Sequence, residues 1–323
     1  MKQIQVDQLG GPDRMKLIDA PTPVPGPKQA RVEIKASGVN CIDVYFRPGL
    51  YKADLPLTLG QEAAGIVRAV GADVTEVAVG DRVAYAVMTR GSYAESAVVP
   101  AWQLVRIPDA IDFDHAAAAM LQGMTAHYLT HSTFPLSPGD TCLVHAAAGG
   151  AGRLIVQMAK MRGARVFGTV STEAKAALAK AAGCDEVIFY ETQDFEAEVK
   201  RLTGGRGVDV IYDSVGVTTF LKGLNCIRPR GMMVAFGQSS GAVAPLDPSI
   251  LNVKGALFLT RPSLGHYCAT REELLLRARE VLGWAASGKL DIRIDGRYAL
   301  SEVAQAHRDL ESRKTAGKLL LVP

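Results

Sequence analysis

Thr141-Cys142-Leu143-Val144-His145-Ala146-Ala147-Ala148-Gly149-Gly150-Ala151-Gly152-Arg153 is the stretch on which the fold turns. An apolar strand runs into a turn of small residues and then into a helix. Gly149 and Gly150 let the backbone approach a pyrophosphate with no Cβ in the way. Gly152 allows close helix–strand packing, and the helix start offers free N–H groups and the positive end of a dipole. The spacing is Ala146-x-x-Gly149-x-x-Gly152, with alanine where the common dinucleotide fingerprint has its first glycine.

Taken alone, such a turn is weak evidence, since a tight turn without a ligand has the same composition. Its surroundings strengthen it. Strands are expected at 141–146, 165–170, 186–190, 208–212, 232–236 and 256–260, and helices at 153–161, 173–182, 195–202 and 218–227 separate the first five. The link at 237–255 carries Pro245 and Pro248 and reads as irregular. Near-continuous apolar strands with crossover helices mean a mostly parallel sheet covered on both faces. Six of them fit the doubly wound dinucleotide fold.

The end of the second strand bears on which dinucleotide is bound. NAD sites place Asp or Glu about 20 residues beyond the glycines to hold the ribose 2′-hydroxyl. Here that place reads Thr169-Val170-Ser171-Thr172-Glu173-Ala174-Lys175. Ser171 stands where the carboxylate would be, and Lys175 follows one helical turn later. A hydroxyl with an ammonium suits a 2′-phosphate, which a carboxylate would repel. Glu173 falls at the helix start, where an acid is common for dipole reasons. NADPH is the expected cofactor.

Upstream, the character is different. Short alternating or apolar runs at 2–6, 31–36, 66–70, 82–86 and 93–99 are punctuated by Gly, Pro and Asp, which suggests a compact β-barrel or sandwich. Downstream of 265, helices are expected at 272–287, opened by a Thr270/Glu273 capping box, and at 302–312, capped by Ser301. A last strand at 318–322 comes too late for the nucleotide sheet and is expected to return to the first domain. The domains are therefore 1–124 with 265–323, and 125–264.

Composition narrows the function. The chain has 323 residues, 48% hydrophobic, and 36 Lys and Arg against 33 Asp and Glu leave a net charge of +3 without a basic run. Nucleic-acid binding is disfavoured as a main task. No apolar stretch has the ~18–20 residues of a membrane helix, and the first residues read as a strand rather than a signal peptide, so a cytoplasmic address is expected. Cys41, Cys142, Cys184, Cys226 and Cys268 form no CxxC or Cys/His cluster, which fits reduced thiols. His127 and His131 are four apart without a third ligand or an intervening Glu, so a hydrogen-bonded pair is expected there; His145 and His307 read as structural.

Further stretches carry a resemblance. These are Gly38-Val39-Asn40-x-x-Asp43, Arg47-Pro48-Gly49-Leu50-Tyr51, Leu59-Gly60-Gln61-Glu62-Ala63-Ala64-Gly65 and Val79-Gly80-Asp81-Arg82-Val83. Later come Gly123-Met124-Thr125-Ala126, Phe236-Gly237-Gln238-Ser239-Ser240-Gly241, Thr260-Arg261-Pro262-Ser263-Leu264 and Leu310-Glu311-Ser312-Arg313. In this order, over nearly the whole chain, they resemble the zinc-independent, zeta-crystallin-like quinone oxidoreductases of the medium-chain dehydrogenase/reductase superfamily. The resemblance implies an α/β protein: a β-rich GroES-like barrel as catalytic domain and a Rossmann doubly wound, parallel six-stranded sheet that binds NADPH. Zinc-dependent relatives carry Cys and His where this chain has Asn40 and Gln61. Carboxamides are poor zinc ligands, so no metal is expected.

The resemblance places Asn40, Tyr45, Tyr51 and Gln61 at the catalytic cleft, where a tyrosine hydroxyl or the Asn40 amide can donate to a carbonyl oxygen. It assigns cofactor contacts to Asn40, Tyr45, Thr125, Gly149, Gly150, Ala151, Ser171, Lys175, Tyr190, Phe236, Gly237, Phe258, Thr260 and Arg313. The implied activity is NADPH-dependent reduction of quinones or related electron-poor carbonyl compounds. Reduction of an enone or alkenal C=C bond needs the same hydride, and a non-enzymatic crystallin-like or RNA-binding role is the alternative of another class. The strand at 256–260 has no internal Pro or Lys and is expected at the sheet's outer edge, where it would pair with its own copy in a homodimer.

Overall fold

The computed structural model describes residues 1–86 and 89–323. It divides into two units, Met1–Met124 with Tyr267–Pro323, and Thr125–His266.

The first unit opens with β1 (Lys2–Val6), β2 (Met15–Asp19), β3 (Gln29–Val39), α1 (Cys41–Phe46), β4 (Glu62–Val70), β5 (Arg82–Ala86), β6 (Ser96–Pro100), β7 (Val105–Arg106) and α2 (Phe113–Tyr128), whose last four residues fall in the second unit. β3 is its spine. Antiparallel β4 runs along one side from Ala30 to Ser37, and β6 covers the early part of the other side from Gln29 to Glu33. Along β3, buried and half-buried residues alternate until Ser37, and the last three residues before Asn40 are all buried. A strand buried on both faces thus delivers Asn40 to the start of α1.

The second unit contains β8 (Thr141–Val144), α3 (Gly150–Met161), β9 (Arg165–Val170), α4 (Glu173–Ala181), β10 (Glu186–Phe189), α5 (Phe195–Leu202), β11 (Val208–Asp213), α6 (Phe220–Gly223), β12 (Ile227–Ala235), α7 (Ser249–Val253), β13 (Phe258–Thr260) and α8 (Leu264–Tyr267). Its six strands lie in the order β10-β9-β8-β11-β12-β13, every pair parallel. This is the doubly wound order, with its crevice between the carboxyl ends of β8 and β11. Leu143, Phe167, Ile188, Ile211, Phe220 and Met233 are among the buried residues of its core.

The chain then returns to the first unit with α9 (Arg271–Ala286), β14 (Ile294–Ala299), α10 (Val303–Glu311) and β15 (Lys318–Val322). As expected, the last strand joins the first domain: β15 pairs with β3 at Ser37–Val39 and with β14 on its other edge.

Several elements differ from the sequence expectation. α2 has no counterpart there, because Ala116, Ala117, Ala118, Ala119 and Met120 are all buried, and a helix apolar on every side shows no 3.6-residue stripe. The expected helix at 218–227 is only α6 followed by a tighter turn, and the irregular link at 237–255 contains α7. Ser301 is not the cap; the Glu302 carboxylate accepts from Ala299 N–H at 2.8 Å instead. The outer strand starts at Phe258, since Ala256 takes φ +54° and Leu257 N–H turns back to Leu251 O at 3.0 Å. Leu257 is accordingly a core residue, and Phe258 and Leu259 form the exposed edge. Among the described residues, no helix is long and apolar enough to cross a membrane.

Candidate active site

In the second unit, β8 ends in a turn whose geometry follows from its small residues. Ala146 occupies the left-handed region at φ +53°, the conformation that the missing first glycine would have taken without strain. Gly149 N–H donates to Ala146 O at 2.9 Å, and Gly149 caps α3 with extended backbone and no side chain. A Cβ at Gly152 would lie 2.2 Å from Ala146 O, so only glycine fits there; at Gly149 it would meet only that oxygen, at 3.2 Å. α3 has no acidic residue in its first turn. Its leading N–H groups, at Gly150, Ala151 and Gly152, lie beyond the reach of intrahelical acceptors. This cradle fits a pyrophosphate.

The far end of the cradle is set by β9 and β10. Ser171 follows β9, Thr172 caps α4 by accepting from Lys175 N–H at 3.3 Å, and Tyr190 N–H donates to Val170 O at 3.2 Å. Ser171, Lys175 and Tyr190 therefore share one end of two adjacent strands, and Glu173 is the first residue of α4. On the other side, Phe236 and Gly237 both donate from their backbone to Asp213 O (2.9 and 3.2 Å), which holds them at the carboxyl ends of β11 and β12. Thr260 ends β13 opposite Val234. Phe258 is not brought to this end: it pairs in register with Met232, 59% exposed on the outer edge. His145 sits against the ring of Phe195 at 5.0 Å, and its Nδ1 meets Thr169 Oγ1 at 3.0 Å. Burial lowers its pKa, with Asp213 acting the other way. His127 and His131 stack, ring centroids 4.4 Å apart. Thr125 lies in α2, half-buried.

In the first unit, the site residues gather where β3 ends and β4 begins. Asn40 is buried and caps α1. Its Nδ2 donates to Glu62 Oε1 at 2.7 Å and to Gly38 O at 3.3 Å, while Lys318 Nζ donates to its Oδ1 at 2.6 Å and also to Glu62. Leu121 N–H supplies the second Glu62 oxygen at 2.6 Å. Lys318 and Glu62 are almost wholly buried, and a Cβ at Gly38 would run into both side chains. Asn40 thus spans a buried ion pair, and both of its amide hydrogens are committed. The expectation that Asn40 donates to a substrate carbonyl therefore meets an amide already in use.

A second network starts at Asp43. It accepts from Asn40 N–H (3.0 Å), Gly60 N–H (3.1 Å) and Tyr93 O–H (3.2 Å). Burial, opposed by these donors and by Lys318, raises its pKa to about 7. Behind Tyr93 stands His307 Nε2 at 3.1 Å, and behind His307 Nδ1 stands Arg47 at 3.0 Å. Arginine only donates, so Nδ1 accepts and Nε2 carries the proton toward Tyr93. Burial first, and Arg47 second, depress the His307 pKa to about 3. Glu311 closes the chain with two contacts to Arg47, at 2.9 and 3.1 Å. His307 is thus held inside a buried hydrogen-bond chain, the structural role expected for it.

Tyr45 and Tyr51 meet edge to face at 5.4 Å, and Tyr51 also packs on Phe46 at 5.6 Å. Gln61 lies between Gly60 and Glu62, 7% exposed, and its Nε2 has no hydrogen-bond partner among the described residues. Arg313 follows α10 in the first unit, exposed at φ +59°. Among the described residues, no three His, Cys, Asp or Glu are grouped to hold a metal. Sequence reasoning named neither Glu62 nor Lys318 as a site residue. The available signal was a charge at the head of an apolar run in each case, Glu62 before 63–67 and Lys318 before 319–322.

Comparison with known proteins fits this geometry. Residues 26–109 match the alcohol dehydrogenase GroES-like domain and residues 150–274 the zinc-binding dehydrogenase family. A quinone oxidoreductase of Pseudomonas aeruginosa is 46% identical over 100% of this chain and 99% of its own. The chain belongs to the zeta-crystallin-like quinone oxidoreductases of the medium-chain dehydrogenase/reductase superfamily. The family's α/β architecture, a GroES-like domain and a parallel Rossmann sheet, is the one described above. The Escherichia coli quinone oxidoreductase structure complexed with NADPH superposes with a TM-score of 0.98 at 43% identity, covering 100% of both chains. A 2-haloacrylate reductase of a Burkholderia species is 42% identical over 98% of each chain.

Proposed function

We infer that this protein is an NADPH-dependent oxidoreductase that reduces quinones. The carrying observation is the open helix start at Gly149–Gly152, with Ser171 and Lys175 in place of a carboxylate at the far end of the cradle. NADPH, when bound, supplies the hydride, and the protein binds, orients and excludes water. Gly149, Gly150 and Ala151 would hold the pyrophosphate, and Ser171, Lys175 and Tyr190 the 2′-phosphate; Phe236, Gly237 and Thr260 line the carboxyl ends of the neighbouring strands. Asn40, Tyr45, Tyr51 and Gln61 form the substrate end in the first unit. Asn40 and Gln61 replace thiolate and imidazole at the two zinc positions, which supports zinc-independent chemistry. The five cysteines, all free, fit a reducing compartment and a cytoplasmic address.

The 2-haloacrylate reductase among the relatives favours a second reading, hydride delivery to an activated C=C bond. Following NADPH oxidation across benzoquinones, naphthoquinones, enones and haloacrylates decides between them. Quinones should turn over fastest by kcat/KM; turnover confined to the C=C substrates would replace the first reading with the second.

The exposed edge of β13 supports a homodimer in which Phe258–Thr260 pairs with its own copy about a two-fold axis. Light scattering should give about twice the 34.4 kDa chain mass, and Leu259→Lys should halve it. A wild-type monomer at micromolar concentration would end the proposal.

A further inference from the structure

Gln61 presents an unusual feature: a carboxamide nitrogen that is buried and, among the described residues, unpartnered. Buried polar groups are paired in the great majority of cases, and an exception calls for a reason. Poor packing is not the reason here. Gly60, immediately before it, is held by Asp43 through its N–H and accepts from the N–H groups of Gly91 (3.0 Å) and Ser92 (3.2 Å). Glu62, immediately after it, is fixed through both carboxylate oxygens, and its backbone oxygen accepts from Ser37 Oγ at 3.1 Å. A Cβ at Gly60 would come within 2.2 Å of Ser92 Oγ and 2.4 Å of the Tyr93 ring. The chain is clamped on both sides of a residue whose amide nitrogen has no hydrogen-bond partner among the described residues.

The neighbouring carboxamide shows the contrast. Asn40 has donated both hydrogens and accepts from Lys318, so it has no proton to offer. The two positions where zinc-dependent relatives carry ligands are thus divided: one amide is locked, and the other's nitrogen has no partner among the described residues.

We propose that Gln61 Nε2 is the hydrogen-bond donor to the carbonyl oxygen of the quinone, and that the buried Lys318–Glu62–Asn40 and Asp43 networks position it. This deepens the reading given under Proposed function and rests on it. The hydride that NADPH would supply, leaving NADP⁺, amounts to two electrons and one proton. The quinone gains them as the hydroquinone monoanion, which takes its second proton from water. Negative charge grows on a carbonyl oxygen during that step, and a fixed neutral donor stabilises it without titrating. A hydrogen bond to a charged group corresponds to a rate effect of roughly 10- to 150-fold.

Gln61→Met tests the assignment, because it keeps the length of the side chain and removes the donor. Taking away an unsatisfied buried polar atom does not destabilise a fold, so the variant should melt at or above the wild-type temperature. It should bind NADPH within twofold of wild type by fluorescence quenching. Its kcat/KM for a soluble benzoquinone should fall about 10- to 150-fold. Gln61→Ala should show the same kinetic loss even if its cavity lowers the melting temperature. Retention of kcat/KM within threefold in Gln61→Met overturns the proposal. So does a joint fall in melting temperature, NADPH affinity and rate in both variants, which would make the amide a structural element. If the wild type reduces no quinone, the reading of the function fails instead, and the melting temperatures still report whether Gln61 supports the fold.

Discussion

At the start of α3 the cap is a glycine without a side chain, the first turn has no acid, and no side chain caps the leading N–H groups. At the start of α1 the cap is Asn40, the third helical residue is Asp43, and that carboxylate takes the Asn40 N–H at 3.0 Å. Both helices follow a buried strand closely, and both starts carry the same partial positive charge. One is open, as the phosphate site proposed above requires; the other is filled by the protein itself. The first arrangement serves binding, and the second rigidity. Substitutions in the two regions should therefore read out in different quantities, affinity in one and stability in the other.

The largest effect is expected on the filled side. Lys318 lies wholly inside the first unit with its ammonium on Glu62 and Asn40. Removing one member of a buried pair leaves the other charge uncompensated, at a cost of about 3–5 kcal/mol. Lys318→Met should destabilise the protein by about that much in urea unfolding. Adding Glu62→Gln should recover most of it, because the double variant buries no net charge and the introduced carboxamide still presents an oxygen to Leu121 N–H. A single variant as stable as wild type would show that water reaches this pair, and the contrast between the two helix starts would collapse.

This difference also governs what could be read from the sequence. The α3 cradle was legible because its parts are contiguous: strand, small residues, glycines and helix fall within 13 residues, and each is fixed by local geometry. Four strand–helix repeats and two further strands then implied the sheet order. The α1 region joins Asn40, Glu62 and Lys318, and only the pairing of β3 with β4 and β15 brings them together. No periodicity links residues 40 and 318. Asn40 and Gln61 stand out through the family motif, which reports positions and says nothing of who donates to whom. The commitment of one amide, and the lack of a partner for the other's nitrogen among the described residues, became visible only with the hydrogen bonds. α2 escaped for another reason: a helix buried on all sides carries no amphipathic signature.

A smaller effect, of a different kind, is expected on the open side. Lys175 stands in the first turn of α4, partly exposed, after the end of β9, where Ser171 follows Val170 and Tyr190 N–H donates to Val170 O. Its backbone N–H is taken by the Thr172 cap, so removing the side chain leaves the helix start intact. Lys175→Ala should change unfolding stability by no more than about 0.5 kcal/mol, as partly exposed positions do. Its effect should fall on the cofactor. A charge-assisted contact to a 2′-phosphate is worth about 1.5–3 kcal/mol, or roughly 10- to 150-fold in affinity. NADPH should weaken by that factor while NADH, which lacks the phosphate, is nearly unchanged. The effect on NADPH should also shrink with added salt, since the contact is partly solvent-screened. Equal losses for both dinucleotides, or a drop in stability like that of Lys318→Met, would mean that Lys175 supports the fold, and this end of the cradle would then be filled by the chain as the start of α1 is.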